Sequence, residues 1–422
     1  MLTYDLDRRG KLARYDYLYR CIREDILAGR LTAGEKLPSK RSLASHLQTA
    51  VITVQNAYAQ LEAEGYLYTR EKRGYYVADV ERHPAAPGRA PARSAPQPQR
   101  SWLLDLSSGG SGTEDFPFSV WAKLMRRVLS EEGEALLRAT PPNGADALRR
   151  AIAQHLYRFR GISAAPEQIV VGAGTEYLYN LIVQLLGREA VYGVEDPGYS
   201  KAARIYALGG ARTAPVLVDE GGVSLRSLEM SGAQILHTSP NHQFPTGAVT
   251  PIGRRQSLLR WAEAREGRYI IEDDYDSEFR FTLRPIPTLQ SIDRAGRVIY
   301  VNTFSRTLAP SLRISYMVLP KSLTEHYRAQ LGFYSSTVPA MEQHTLARFL
   351  DEGYFEAHIN RMRKSYRAQR DAVIDTILQS PLGEHCRVSG EDAGLHFLLT
   401  IDTKCTDHVL RADAEGRGVR LS

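Results

Sequence analysis

The chain has 422 residues, of which 43% are hydrophobic and 24% are charged, a composition typical of a globular protein with material for two or three domains. No apolar stretch approaches the roughly 18 residues that span a bilayer, and the N-terminus lacks the basic and apolar regions of a signal peptide. Cys21, Cys386 and Cys405 are far apart and form neither a metal-ligand spacing nor a disulfide framework. We therefore expect a cytoplasmic protein with no membrane partner.

The positive charge is concentrated near the N-terminus. Residues 1–103 contain 17 Lys and Arg against 11 Asp and Glu, and the rest of the chain contains 37 of each, so the whole excess of +6 lies in the first quarter. A basic module joined to a neutral one indicates contact with a polyanion. A solvated face followed by a basic linker is the alternative interpretation.

Residues 1–78 have the pattern of a winged helix-turn-helix. Apolar residues at helical spacing over 17–27 are followed by Ser39, which can cap a short second helix, and by a third helix over 51–61. Two alternating stretches between 66 and 77 then predict a hairpin with a basic tip. In such a domain the last helix enters the major groove and the hairpin touches phosphates.

This segment resembles the DNA-binding domain of GntR-type bacterial regulators, because of Leu37-Pro38-Ser39 and the run from Thr53 to Gly65. The resemblance implies double-stranded DNA as a partner, and a small helical subdomain that holds another protein is the alternative. The residues expected at the DNA are Ser39, Arg41, Thr53, Gln55, Asn56, Lys72 and Arg73. Among them, Thr53, Gln55 and Asn56 can reach base edges, whereas the cations suit phosphates.

Residues 79–103 are predicted to be a linker rich in Pro, Ala and Arg. Five prolines and few apolar anchors between 79 and 101 indicate a segment that cannot bury enough surface to fold. Polyproline stretches extend by about 3 Å per residue, so the first domain could bind DNA independently of the rest.

From residue 104 the chain alternates short apolar runs with helical stretches. We expect strands over 168–171, 189–195, 233–238, 268–271 and 298–301, each ending at a polar cluster. Strands alternating with helices predict an α/β domain with an open, mostly parallel sheet, whose ligand lies at the carboxyl ends of the strands.

Those polar clusters resemble, in order, the motifs of fold-type I, pyridoxal-phosphate-dependent aminotransferases. They are Gly174-Thr175-Glu176, Asp196-Pro197-Gly198-Tyr199, Asn241 to Gly247, Glu272 to Phe279 and Asn302 to Arg313. The resemblance implies that pyridoxal phosphate is bound by Gly174, Thr175, Glu176, Tyr199, Asp273, Tyr275, Ser305, Arg306 and Arg313. It places Asp273 at the pyridine nitrogen, Tyr275 at the ring hydroxyl, and Ser305 with Arg313 at the phosphate.

Arg306 stands where that family has the lysine that forms a Schiff base with the cofactor aldehyde. A guanidinium stays charged and is a very poor nucleophile. The sequence therefore predicts no catalytic residue, and any pyridoxal phosphate is expected to bind without a covalent bond. We expect no metal site, because His237 and His242 have no carboxylate or cysteine at ligand spacing and fit loop histidines better.

The joined pair of domains resembles the MocR/GabR group of bacterial transcription factors. The resemblance implies a homodimer, head-to-tail, whose large domain (104–338) senses the cofactor or an amino compound and whose small domain is 339–422. Ala139 stands where relatives often carry a tyrosine that reaches the partner's cofactor phosphate. Relatives also continue for several tens of residues past Ser422, so we expect a small domain without its last strands.

Three functions remain open from the sequence. The first is a transcriptional regulator with an aminotransferase-like sensor domain. The second is a working aminotransferase with an accessory DNA-binding module, which the missing lysine opposes. The third is a degenerate regulator that no longer binds pyridoxal phosphate.

Overall fold

The computed structural model describes residues 2–70, 73–80, 102–106, 115–276, 278–280 and 286–421. By their internal contacts the residues divide into two compact units, Met1–Arg100 and Ser101–Ser422. Most of the linker expected over 79–103 lies outside the described residues, and so does Lys72. Its limits, like the division at residue 338, stay predictions.

The first unit is three helices followed by a hairpin. Its elements are α1 (Arg14–Leu27), α2 (Lys40–His46), α3 (Val51–Ala63), β1 (Leu67–Arg70) and β2 (Gly74–Val77). The helical spacing seen in the sequence is confirmed, because the periodic residues of α1 and α3 are buried in one core: Leu18, Ile22, Ile26, Val54, Ala57, Tyr58 and Leu61. Each helix therefore turns its polar side chains outward, which leaves the outer face of α3 open to a partner.

The turn between α2 and α3 is fixed by local hydrogen bonds. The Ser39 hydroxyl accepts a hydrogen bond from the Ser42 amide at 3.1 Å and so caps α2. The Tyr58 hydroxyl of α3 donates to the Pro38 carbonyl at 3.1 Å. Gln48 adopts a φ of 47° in the turn itself, a left-handed conformation that is uncommon outside glycine. Together these contacts hold α3 at a set angle to α2.

The second unit is built around one large sheet and also contains two short strand pairs. In chain order, the strands of the whole unit are β3 (Leu104–Asp105), β4 (Ile169–Gly172), β5 (Val191–Asp196), β6 (Arg212–Asp219), β7 (Gly222–Val223), β8 (Ile235–Thr238), β9 (Tyr269–Asp273), β10 (Val298–Thr303), β11 (Ser315–Val318), β12 (Cys386–Ser389), β13 (Leu398–Ile401) and β14 (Val419–Arg420). Its α-helices are α4 (Phe118–Glu132), α5 (Asp146–Arg160), α6 (Thr175–Leu186), α7 (Ser200–Leu208), α8 (Leu225–Met230), α9 (Ile252–Glu263), α10 (Leu289–Ile292), α11 (Lys321–Leu331), α12 (Ala340–Asp351), α13 (Tyr354–Gln379) and α14 (Asp407–Gly416).

Eight of those strands pair in the order β4-β11-β10-β9-β8-β5-β6-β7. The pairs from β10 through β9, β8 and β5 to β6 are parallel, which confirms the expected fold class. The pairs of β11 with β10 and β4, and of β6 with β7, are antiparallel. The five expected strands all form, whereas β6 and β11 were not predicted.

Helices cover both faces of this sheet. Successive strand residues face opposite sides, so Val171 and Tyr300 pack with α4, α5, α12 and α13, whereas Val170 and Val301 pack with α6, α7 and α11. Strands β10, β9, β8 and β5 are thereby buried in the middle of the unit. Their carboxyl ends meet along one edge, which is where the polar clusters lie.

The C-terminal part of the unit contains shorter strand pairs. β12 pairs with β13 antiparallel, and β14 pairs with β3 parallel. The helix that follows residue 338, α12, packs against α4 and α5 and contributes Leu346 and Phe349 to their core. No helix within the described ranges is both long and apolar enough to cross a membrane.

Candidate functional site

The first unit presents a polar face on α3. Gln55 and Asn56 are exposed there, and Thr53 is half-buried beside them. Arg41, in α2, is also exposed, whereas the Ser39 hydroxyl is already used by the helix cap. Groups that can read base edges therefore lie on α3, and a cation for the backbone lies on the neighbouring helix.

The hairpin adds aromatic and basic side chains. The rings of Tyr68 and Tyr76 stack across β1 and β2 with their centroids 5.7 Å apart. The guanidinium of Arg70 lies over both rings, 4.9 Å from the centroid of Tyr76. Arg73, at the described end of the tip, is exposed. A surface of this composition suits a phosphate backbone.

Two exposed apolar residues of α3 were missed in the sequence. Val51 and Ile52 lie in its first turn and expose 43% and 57% of their surface. The first turn of such a helix faces base edges in a major groove, where apolar side chains contact thymine methyl groups. Their position in the sequence, just before the periodic core residues, was the available signal.

In the second unit, the turn after β10 carries Ser305 and Arg306. Its flanks are anchored, because Phe304 and Leu308 are buried and the Thr307 carbonyl accepts a hydrogen bond from His358 Nε2 at 2.7 Å. The Ser305 amide donates to Thr303 Oγ1 at 3.1 Å. The turn is therefore held at both ends, and its middle residues project from a fixed backbone.

Both middle residues have polar groups without a partner. The Ser305 hydroxyl oxygen is buried and makes no hydrogen bond. Arg306 is half-buried, and its guanidinium forms no hydrogen bond or ion pair with any residue that the structure describes. A buried hydroxyl without a protein partner, such as that of Ser305, can hydrogen-bond a ligand.

The start of α6 forms a second part of the site. Arg313 ion-pairs with Glu176, and its guanidinium lies so close to the α-carbon of Gly174 that a side chain there would collide with it. The amides of Thr175 and Glu176 open the helix, which favours an anion. Lys201 Nζ lies 3.8 Å from Glu176. Four donors, two cationic side chains and two backbone amides, thus converge beside one carboxylate.

Asp273, at the end of β9, is buried and only partly hydrogen-bonded. Its Oδ2 accepts from the Tyr179 hydroxyl at 2.5 Å and lies 3.5 Å from His237 Nε2. His237 Nδ1 is in turn 2.6 Å from the Tyr206 hydroxyl. The other carboxylate oxygen, Oδ1, is buried without a partner. Asp273 is therefore held through Oδ2, and its Oδ1 can accept a hydrogen bond from a ligand.

Tyr199 lies among these charged groups. Burial raises the pKa of its hydroxyl, and the charges of Asp273 and Glu176 raise it further. The guanidinium groups of Arg306 and Arg313 lower the same pKa. These opposing electrostatic effects show that the fold brings the five side chains together, although they come from four separate stretches of sequence.

Tyr275 has a different environment from the one that the resemblance implies. Its hydroxyl donates to the His242 carbonyl at 3.1 Å. Burial raises the pKa of this hydroxyl well above its usual range, and Asp276 and Asp273 raise it further. The Tyr275 hydroxyl therefore stays protonated and is already engaged with the backbone. A role at a ring hydroxyl remains a prediction.

Of the two histidines, only His242 lies in a loop, as the sequence indicated. His237 lies in β8, and its side chain is buried against Tyr179 and Tyr206. His242 does follow a strand, but it is buried and its Nδ1 lies 2.8 Å from Asp276 Oδ2. The sequence did not reveal that His237 lies in a strand, because every residue of β8 is buried and the strand shows no alternation of buried and exposed positions.

A possible metal-ligand group forms around His242. It consists of His242, Asp276 and His396, whose ligand atoms lie within 4.8 Å of one another. Burial, followed by the neighbouring His242, lowers the pKa of His396 to about 4, so this imidazole is neutral at pH 7. Arg160 and Arg280 line the small cavity beside this group, and their positive charges disfavour a dication. We interpret the group as a buried polar cluster with a hydrogen bond between His242 and Asp276, in which His242 Nε2 and His396 Nε2 have no partner among the described residues.

The structure thus gathers seven of the expected residues at one edge of the sheet. They are Gly174, Glu176, Tyr199, Asp273, Ser305, Arg306 and Arg313, with the Thr175 amide beside them. Tyr179, His237 and Tyr206 were missed, because only the packing of α6 and α7 on β8 and β9 places them under Asp273.

Two protein families match the chain. Residues 14–77 match bacterial regulatory proteins of the gntR family, and residues 103–407 match aminotransferase class I and II. Among curated relatives, the uncharacterised HTH-type transcriptional regulator YdeL of Bacillus subtilis is 38% identical over 100% of this chain and 91% of its own length. The "Probable rhizopine catabolism regulatory protein MocR" of Rhizobium meliloti is 35% identical to this chain, and the match covers 99% of this chain and 87% of that protein.

Solved structures of aminotransferases share the fold of the second unit. LysN, an α-aminoadipate aminotransferase of Thermus thermophilus complexed with N-(5'-phosphopyridoxyl)-L-leucine, is 27% identical with a TM-score of 0.66. The similarity covers 75% of this chain and 81% of that one. The aminotransferase-like architecture predicted from the polar clusters is therefore confirmed.

Proposed function

Because the chain belongs to the HTH-type transcriptional regulators that join a gntR-family domain to an aminotransferase class I and II domain, we propose that it binds duplex DNA and holds pyridoxal phosphate without a covalent bond. The observation that carries the second half is the pair of buried, unpartnered oxygens on Asp273 and Ser305. Asp273 lies near Tyr199 together with two cationic groups, Arg306 and the ion-paired Arg313, and Arg306 replaces the amine that covalent capture requires.

The pocket residues fit this cofactor by their chemistry. Asp273 Oδ1 can accept the proton of a pyridinium nitrogen, while Tyr179 orients the carboxylate through Oδ2. The Ser305 hydroxyl, the amides that open α6 and the Arg313 guanidinium suit a phosphate dianion. When bound, pyridoxal phosphate supplies an electron-withdrawing ring and an aldehyde. In this pocket it serves as a sensed ligand, because no lysine follows Ser305.

The DNA-binding half gives the first prediction. Arg41→Ala and Arg73→Ala are each expected to weaken binding to every duplex and to lower the salt slope by about one, because each removes one phosphate contact. Gln55→Ala and Asn56→Ala are expected to relax sequence preference by about 1–3 kcal/mol per lost base contact. Fluorescence anisotropy of the full chain with labelled duplexes at several salt concentrations measures both effects.

A matched control separates contact from charge. Arg226→Ala removes one exposed positive charge from α8 of the other unit and should leave both affinity and salt slope unchanged. If Arg226→Ala weakens binding as much as Arg41→Ala does, net charge and not the helix-turn-helix is responsible. If the unaltered chain binds no duplex at low salt, the regulator proposal is wrong.

We also propose a homodimer, head-to-tail, formed through the second unit. Leu137 supports this, because 79% of its surface is exposed just before Ala139, where relatives often carry a residue that reaches the partner's cofactor. Leu137→Glu is expected to shift the full chain from dimer to monomer in sedimentation at micromolar concentration, since burying a charge is costly. Met230→Glu, at a site with 76% exposure on α8, is the control and should stay dimeric.

A dimer with two such heads would read two spaced half-sites. If the unaltered chain sediments as a monomer, the dimer proposal is wrong. The proposal that a single helix-turn-helix domain binds DNA would not be affected by that result. A cytoplasmic location and a small amino compound as a further effector complete the proposal, since both follow from the regulator group that the sequence resembles.

A further inference from the structure

The guanidinium of Arg306 lies near the Tyr199 hydroxyl and lowers its pKa. The side chain is half-buried and pairs with no residue that the structure describes. The carboxylates of Asp273 and Glu176 nevertheless lie near enough to raise the pKa of the same Tyr199 hydroxyl. The turn that carries it is anchored by Phe304 and by the hydrogen bond between Thr307 and His358. Arg306 is therefore a cation on an anchored turn, with no anionic partner among the described residues.

Other groups of the site suit two parts of a ligand and leave a third part unassigned. Asp273 Oδ1 suits a protonated ring nitrogen, and Ser305 with Arg313 suits a phosphate. Arg306 follows Ser305 directly and stands where the family's lysine amine meets the aldehyde carbon. When the ring is bound as this resemblance implies, the cation would face the substituent that is an aldehyde in pyridoxal phosphate.

The chemistry of a guanidinium decides which substituent fits there. An aldehyde offers one neutral oxygen, and arginine cannot condense with it as an amine does. A carboxylate offers two coplanar anionic oxygens that accept two parallel N–H groups from one guanidinium. An aminomethyl group is a cation at neutral pH and would be repelled.

We propose that Arg306 makes this pocket select a phosphorylated pyridine that carries a carboxylate on the carbon that bears the aldehyde in pyridoxal phosphate. This inference rests on the proposed function, because it requires that the pocket bind the pyridine ring and its phosphate. It changes the identity of the sensed ligand from the aldehyde to its oxidised acid.

Three ligands with the same ring and phosphate test this selection. They are 4-pyridoxic acid 5'-phosphate, pyridoxal 5'-phosphate and pyridoxamine 5'-phosphate, whose variable group is an anion, a neutral aldehyde and a cation. Calorimetric titration of the full chain should give affinity in that order, with the acid about tenfold tighter than the aldehyde, as expected for one charge-assisted bidentate contact. Ligand binding is the readout, so no catalytic activity is required.

Two variants assign the preference to Arg306. Arg306→Gln keeps hydrogen-bonding capacity but removes the charge, so the acid should lose its advantage while the aldehyde changes little. Arg226→Gln removes an exposed charge from α8 and should keep the order of the three ligands. A thermal-shift measurement of each variant confirms that it is folded before titration.

The outcomes separate this inference from the proposed function. If all three ligands bind equally, or the aldehyde binds more tightly than the acid, selection by Arg306 is wrong and the pyridoxal phosphate pocket stands. If Arg306→Gln retains the preference for the acid, another cation is responsible and the assignment to Arg306 fails. If none of the three binds, both the pocket proposal and this inference fall.

Discussion

Arg306→Lys is expected to convert the proposed reversible pocket for pyridoxal phosphate into one that captures this cofactor covalently. The introduced amine lies in a half-buried turn, and burial lowers a lysine pKa toward the range where the neutral amine attacks a carbonyl. Asp273 remains to hold the ring nitrogen. Visible absorbance that survives dialysis, and a stoichiometric borohydride-reducible adduct, are the expected results.

The unaltered chain should give neither signal under the same conditions. Arg226→Lys makes the same chemical change at an exposed site on α8 and should also give no adduct, so it controls for the added lysine. Peptide mass analysis after reduction locates any modified residue. A modified peptide from the unaltered chain, for example at Lys201 beside Glu176, would contradict the non-covalent site and favour the aminotransferase alternative.

The DNA-binding unit could be predicted closely from sequence because its signals are local. Helical spacing in α1 and α3 marks core residues such as Ile22 and Leu61, and a serine before a short apolar pattern marks the start of α2. Neither signal depends on distant parts of the chain. The exposed pair Val51 and Ile52 escaped notice because apolar residues are read as core until a structure shows their exposure.

The second unit could be predicted less completely, for reasons of topology. Short apolar runs in the sequence predict the buried parallel strands. In contrast, β11 lies antiparallel between β10 and β4, and no local sequence pattern specifies that pairing. The contacts under Asp273 come from Tyr179 and His237, which are 94 and 36 residues away in the chain, as their numbers show. Such contacts are fixed by packing on the sheet.

Asp274 shows how much of this packing is polar. Successive side chains at the end of β9 face opposite sides of the sheet. Asp273, the last residue of the strand, faces Tyr179, whereas Asp274, the next residue, pairs with Arg160. The two paired side chains expose only 1% and 6% of their surface. Asp274 also accepts from the Tyr300 hydroxyl and the Asn241 amide, both at 2.7 Å. One carboxylate therefore satisfies three buried donors.

Asp274→Ala is accordingly expected to lower the unfolding free energy of the second unit by about 3–5 kcal/mol, since it leaves a buried guanidinium without its counter-charge. Urea unfolding followed by tryptophan fluorescence reports this unit alone, because all three tryptophans lie after residue 100.

Asp219→Ala is the matched control for this experiment. It removes a carboxylate that is 50% exposed from its ion pair with Arg254, and solvent screening should limit the loss to about 0–1 kcal/mol. Equal losses for the two variants would show that the Arg160 guanidinium finds another partner or reaches water once Asp274 is gone. A much larger loss for Asp274→Ala would instead establish that this ion pair, one residue from Asp273, fixes the end of β9 on which the proposed cofactor pocket depends.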